Sequence, residues 1–393
     1  MTGWLSSTPA SAVGDVIAEF DFGVSGVVGT TTHTVMVPTT RDLRTVAFFD
    51  AASMTLVTEV ATTLRAYGNG SVAMVGVADD GSTEAYARDG SLVWSQTIDG
   101  DAVAALADGT LVFESCSDAS SSCELLAIDT GGRERWRMES PPRARVVREP
   151  GEHVVLRPHF VLRQDDDIRD ADDPLLLVDP TTGERTSIGT GDRAVVGDDF
   201  VATLQPMSSG ECSLVVYELD GRQRHRVTDD CTLMSSPIVD LVGTTVSFQP
   251  SSSTRTLLDA TSGDVWRFDL VSDDGTESLT RRMSASGFLA GGEDSLTLAP
   301  SVGAEPVVSV KGNWGVGGST AEAFVVTRTV WPDDDAVGDG GIDEIVVYDP
   351  VSGEQCATVS LPHSEFPRSI DGLPGCRALV TVPGPSTLLL GRS

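Results

Sequence analysis

Lysine is almost missing from this 393-residue chain: Lys311 is the only one, and asparagine is scarce too. With 58 acidic against 27 basic side chains, the formal net charge is −31. That balance excludes a nucleic-acid partner, because binding a polyanion takes basic patches that displace counterions from phosphates. It disfavours an anionic membrane surface for the same reason. No run approaches the roughly 20 apolar residues that span a bilayer. The opening MTGWLSSTPASAVGD has neither the basic nor the apolar region of a signal peptide. G-x-S-x-G, H-E-x-x-H and P-loop motifs are absent, and the five histidines (His33, His153, His159, His225 and His363) are scattered. No motif names a reaction.

Cysteine is sparse but arranged. The six residues fall into three local pairs, Cys116 with Cys123, Cys212 with Cys231, and Cys356 with Cys376, none with the C-x-x-C spacing of a zinc site. Three disulfides imply an oxidising compartment; six free cytosolic thiols are the alternative. Disulfides without an export signal lead to the expectation of an ectodomain downstream of a removed signal or anchor helix. Residues 1–14 then form a linker and 15–393 one domain. The composition, rich in Val, Thr, Asp, Gly and Arg, suits a high-GC genome such as that of an actinobacterium.

What the chain does have is a repeat. An apolar strand ending in Asp, a tight turn and a second strand recur at Asp50, Asp89, Asp129, Asp179, Asp220, Asp259 and Asp349. The step is about 40 residues, doubled before the last copy, which leaves room for a degenerate copy in 271–311. Short β-rich runs with period-2 alternation surround each cassette, and no segment has a sustained helical period. The Asp is there for a physical reason. Its carboxylate accepts the backbone N–H two residues on, and the following Gly supplies the positive φ that closes the hairpin. Trp94, Trp136 and Trp266 follow the turn, on an outer strand that packs against the neighbouring repeat. VIAEFDF near the start is a surplus strand, and pairing it beside STLLLGR at the end closes the ring and removes exposed edges.

The cassette D-x-x-[TS]-G-x-x-W, most complete as DATSGDVW from Asp259 to Trp266, resembles the PQQ-like (quinoprotein-type) β-propeller repeat, and DPTTGE and DPVSGE are weaker copies. The resemblance implies a single all-β propeller of four-stranded antiparallel blades. Eight blades are expected if 271–311 is an elaboration, seven if repeats merge, and more if 271–311 is a full blade. The family includes quinone-cofactor dehydrogenases, outer-membrane assembly scaffolds and exported binding proteins. Its dehydrogenases use an axial cofactor, calcium, an Asp base and often an adjacent-Cys disulfide. No Cys-Cys pair occurs here, so no organic cofactor is expected.

Two acidic loops stand out, RQDDDIRDADD from Arg163 and WPDDDAVGDGGIDE from Trp331, both between a second and a third strand. In the latter, Asp333, Asp335, Asp339 and Glu344 fall at positions 1, 3, 7 and 12 of an EF-hand-like spacing, with Gly338 at the sharp turn. Calcium is the ion such hard oxygen donors suit, although Val337 leaves position 5 without a ligand and a solvated acidic loop is the competing reading. Trp314, Trp331 and Phe160, aromatics outside the cassette, are candidate docking residues for a sugar or peptide; packing between blades is the alternative. The expected function is a non-enzymatic, cell-surface propeller that binds a protein or glycan through loops on one face. The runner-up is an exported quinoprotein-like oxidoreductase or hydrolase with its site on the propeller axis.

Overall fold

In the computed structural model, residues 13–20, 34–38, 45–50, 53–67, 71–106, 108–116, 123–140, 144–146, 154–155, 160–164, 174–179, 181–191, 193–206, 210–231, 238–271, 279–330, 342–362, 369–382 and 386–392 are described. Among them the chain is all β. It forms two compact units, Val60–Phe268 and the combination of Met1–Glu59 with Asp269–Ser393.

The unit Val60–Phe268 holds five sheets, antiparallel apart from one short parallel strand, numbered 2 to 6 in chain order. Sheet 2 runs Thr63–Tyr67, Met74–Val77, Thr83–Tyr86, Leu92–Gln96, and sheet 3 Asp101–Ala105, Leu111–Cys116, Cys123–Ile128, Glu134–Glu139. Sheet 4 is Ala144–Val146, Phe160–Gln164, Pro174–Val178, Arg185–Thr190. Sheet 5 is Arg193–Val196, Phe200–Pro206, Glu211–Glu218, Gln223–Asp230, and sheet 6 Ile238–Val242, Thr245–Ser251, Thr254–Asp259, Val265–Asp269. Val154–Val155 pairs in parallel with Thr63–Tyr67 of sheet 2, while Phe160–Gln164 joins sheet 4.

The other unit holds four sheets. Sheet 1 has three described strands, Thr34–Pro38, Thr45–Asp50 and Leu56–Ala61. Sheet 7 is Thr280–Ser284, Gly287–Gly292, Ser295–Ala299, Val308–Lys311. Sheet 8 is Gly315–Ser319, Phe324–Val330, Ile342–Tyr348, Gln355–Pro362, with Val13–Gly14 added to its last strand. Sheet 9 is Ser369–Leu373, Arg377–Val382, Ser386–Leu390, completed by Val16–Phe20. The surplus strand therefore takes the position that the sequence assigns it: Val16 lies opposite Leu390 and Phe20 opposite Thr387. Nine sheets are thus present among the described residues. The stretch 271–311 supplies a full four-stranded sheet whose last hairpin, around Gly303, has no Asp, so the cassette alone could not reveal it.

Within each unit, hydrophobic cores lie between consecutive sheets. Phe113 and Leu111 of sheet 3 pack with Trp94 and Val75 of sheet 2, and the Trp94 and Phe113 rings meet edge to face at 6.2 Å. Leu204 and Val216 of sheet 5 pack with Phe248 and Leu258 of sheet 6. Alternation along each strand, with branched residues facing both neighbouring sheets, makes the middle strands almost wholly apolar.

The cassette turns form as their residues dictate. Asp129 Oδ1 accepts the N–H groups of Gly131 and Arg133, both at 2.8 Å. Asp349 Oδ1 accepts those of Val351 at 2.8 Å and Ser352 at 3.2 Å. The Gly that follows has a second reason to be Gly. A Cβ on Gly263 would lie 2.6 Å from the His225 ring of sheet 5, and one on Gly353 would lie 2.0 Å from the Val307 carbonyl of sheet 7. Each turn is pressed onto the neighbouring sheet. In the first copy Met54 adopts φ +53° where later copies place Gly, and its side chain is buried with Phe20 and Phe49.

Candidate functional site

The third strand of sheet 8, Ile342–Tyr348, has two different ends. In sequence it follows the acidic stretch 331–341; at its finish the Asp349 turn leads to Gln355–Pro362. Three side chains converge at the first end. Register places Arg328 opposite Glu344, and its Nε and Nη2 both lie 2.6 Å from Glu344 Oε2. The guanidinium carbon sits 4.5 Å from the centroid of the Trp314 ring, within the range of a cation–π contact. Trp314 Nε1 donates to the Lys311 carbonyl at 2.9 Å. One rung away, the buried Asp343 accepts a hydrogen bond from the Thr329 hydroxyl at 2.6 Å. Burial pushes the Tyr348 hydroxyl above its ordinary pKa, and the Arg328 charge opposes that shift.

Of the residues singled out in the sequence, Trp314 and Glu344 are thus brought together, through an arginine that no sequence motif marks. Trp314 is half-buried and packs against the core of sheets 7 and 8. Its ring is a platform for Arg328 before it is one for a ligand. Arg328 is hard to see because it sits inside the apolar strand FVVTRTV, and only the hairpin register discloses its partner. Asp333, Asp335, Asp339 and Trp331 lie outside the described residues. Phe160 starts the second strand of sheet 4, opposite Val178.

The other end of sheet 8 carries a cleft of about 320 Å³ shared with sheet 9, lined by Glu322, Asp349, Glu354, Arg392 and the Cys356–Cys376 bridge. Its carboxylates are committed. Glu322 accepts the Gly375 N–H at 2.8 Å, Glu354 pairs with Arg392 at 2.6 Å, and Asp349 caps its own turn. This cleft reads as a seam between sheets. All three sulfur pairs are disulfides: Cys116–Cys123, Cys212–Cys231 and Cys356–Cys376.

Comparison with known proteins bears on what these sheets are. Residues 44–205 match the family model described as outer membrane protein assembly factor BamB. These are PQQ-like β-propeller blades. Among solved structures, a eukaryotic initiation factor aligns at TM-score 0.50 and 10% identity over 86% of this chain and 88% of that one. BamB from Moraxella catarrhalis aligns at 0.41 and 12% over 89% and 100%. The dihydro-heme d1 dehydrogenase NirN aligns at 0.42 and 14% over 87% and 73%. Identities this low concern the fold alone. No curated protein matches. The propeller repeat thus stands, and no helix among the described residues is long and apolar enough to cross a membrane.

Proposed function

We propose that this chain is a non-enzymatic, exported propeller domain of a cell-envelope protein. It binds a protein or glycan through the loop end of sheet 8, where Arg328 is the charged contact beside Trp314. The observation that carries the reading is the Arg328 cluster. An arginine held on an indole face by a carboxylate, with its side chain 36% exposed, is a pre-ordered recognition group in a chain that otherwise repels anions. Three disulfides support an oxidising compartment.

The test is to probe peptide and glycan arrays with the tagged chain, and with Arg328→Ala and Arg137→Ala variants. Arg137 is an exposed arginine of sheet 3, paired with Glu124 and Glu134. Signals that survive in the Arg137 variant but fall at least tenfold in the Arg328 variant support the reading. Equal retention in both, or no bound probe, overturns it.

A further inference from the structure

Sheets 2 and 3 leave a cleft of about 220 Å³ between them, and its lining is divided by chemistry. Arg65 and Asp101, on the first strands of the two sheets, are exposed at its mouth. The walls beneath are apolar: Val75 and Phe113 are each 1% exposed, and Val77 and Ile98 are half-buried. Thr83 adds a buried hydroxyl whose bond to the Ile98 carbonyl is stretched to 3.5 Å. Ordinary O–H···O bonds are shorter than about 3.0 Å, so this hydroxyl keeps unused hydrogen-bonding capacity.

Two observations single out Arg65. Leu64 lies opposite Gly76 and Ala66 opposite Val75, so Arg65 is the extra residue of a bulge, with no rung of its own. A bulge re-aims a side chain out of the ladder. Among the described residues no carboxylate pairs with Arg65, although acids outnumber bases 58 to 27 in this chain. Arg135 and Arg137 of sheet 3, by contrast, are both ion-paired. Asp101 is held from the other side. Gly100 before it has φ +106°, and a Cβ there would lie 2.2 Å from the Glu114 carbonyl, so the turn into Asp101 is pressed onto its own sheet.

We propose that this cleft binds a free α-amino acid with an apolar side chain of about the size of leucine. The ligand carboxylate takes the planar fork of the Arg65 guanidinium. Its ammonium takes Asp101, and its side chain lies on Val75, Val77, Ile98 and Phe113. A carboxylate offers about four acceptor positions, so Asp101 receives the ammonium alongside any bond it makes within the protein. The Thr83 hydroxyl supplies a further polar contact at the boundary of the two regions. Volume sets the size: about 220 Å³ falls below the ~300–1,000 Å³ of sites for drug-sized ligands. Charge sets the class. A simple anion suits Arg65 but is repelled by a chain of net charge −31. A simple cation suits Asp101 but is opposed by Arg65. A zwitterion carries no net charge to repel and satisfies both ends. This site is separate from the Arg328 cluster and stands without it.

The experiment is calorimetric titration of the full chain with L-leucine and with three relatives that each lack one part of it. Leucine should bind saturably, one per chain. Leucinamide, without the carboxylate, and 4-methylpentanoate, without the ammonium, should each bind at least about tenfold more weakly. Glycine, which lacks the apolar side chain, should lose about a hundredfold or more. These comparisons use the unaltered chain, so they do not depend on a variant folding. Arg65→Gln and Asp101→Asn should each weaken leucine at least about tenfold, while Arg137→Gln, which removes a charge from sheet 3 outside the cleft, should leave it unchanged. No saturable binding of leucine at millimolar concentration overturns the proposal. So does equal binding of any of the three relatives, leucine affinity unaltered in Arg65→Gln or Asp101→Asn, or an equal loss in Arg137→Gln.

Discussion

Replacing Phe20 by Ala tests whether the N-terminal strand seals sheet 9. Phe20 is 5% exposed and meets Phe49 of sheet 1 edge to face, with centroids 5.5 Å apart. Leu373, Leu379 and Leu389 of sheet 9 and Met54 of sheet 1 complete its surroundings. Phe→Ala in a core costs about 3–5 kcal/mol, transfer and cavity together. An edge strand can shift to fill part of the gap, so the lower figure of about 3 kcal/mol applies, a factor of roughly 150 in the local opening equilibrium. Ile17, on the same strand but 39% exposed, supplies the control: Ile17→Ala should cost about 0.5 kcal/mol. Amide hydrogen exchange read by mass spectrometry over Ser386–Leu390 measures this opening directly. Exchange there should accelerate about a hundredfold for Phe20→Ala and under fivefold for Ile17→Ala. Equal acceleration, or less than tenfold for Phe20→Ala, would show that the strand is not held by its buried face.

Gly353→Ala should destabilise by more than about 2 kcal/mol, since it adds a clash with the Val307 carbonyl to a positive φ. Gly303→Ala, with φ +80° and nothing within 4 Å, should cost only about 1 kcal/mol in the same urea titration. The backbone N–H of Val351, then that of Ser352, holds the Asp349 carboxyl below the usual carboxylate range. Asp349→Ala should therefore cost about 1 kcal/mol at neutral pH. Because the folded pKa is depressed, that deficit is complete above the unfolded value near 3.9 and shrinks as pH falls through the folded one. Thermal melts of both proteins from about pH 7 to about pH 2.5 check this, and a deficit independent of pH would refute it. Millimolar calcium should leave the melting temperature unmoved, because Glu344, the twelfth-position ligand, is already committed to Arg328. A calcium-dependent rise abolished by Asp333→Ala would establish the ion site instead.

How legible was this chain? The repeats and their turns were written in local chemistry. Asp, Gly and the alternation of Val, Leu and Thr act within a hairpin, and the sequence displays them side by side. The disulfides were legible for the same reason, as each joins residues close in sequence. Sheet 7 was half hidden because its last turn closes on Gly303 without the Asp, so one repeat lost its marker while keeping its strands. The cluster at the end of sheet 8 was illegible in a different way. Trp314, Arg328 and Glu344 come from a connecting turn and two strands, and meet only once register is set. The Gly rule had a similar blind spot. Positive φ predicts Gly353, but Met54 in the equivalent place shows that a packed side chain can offset the same conformational cost.

The seam between Val16–Phe20 and Ser386–Leu390 also has a mechanical direction. The strands run antiparallel, and the segments leading into Val16 and out of Leu390 leave from the same end of the pair. Tension applied between those segments first loads the Val13–Ser360 and Gly14–Val359 rungs of sheet 8, and reaches the Val16–Leu390 rung only when those fail. The seam therefore unzips rather than shears. Its resistance is set by one backbone pair at a time, so a chain anchored at one of these segments and pulled at the other would lose the short Val13–Gly14 pairing and then this seam at low force, ahead of the four-stranded sheets.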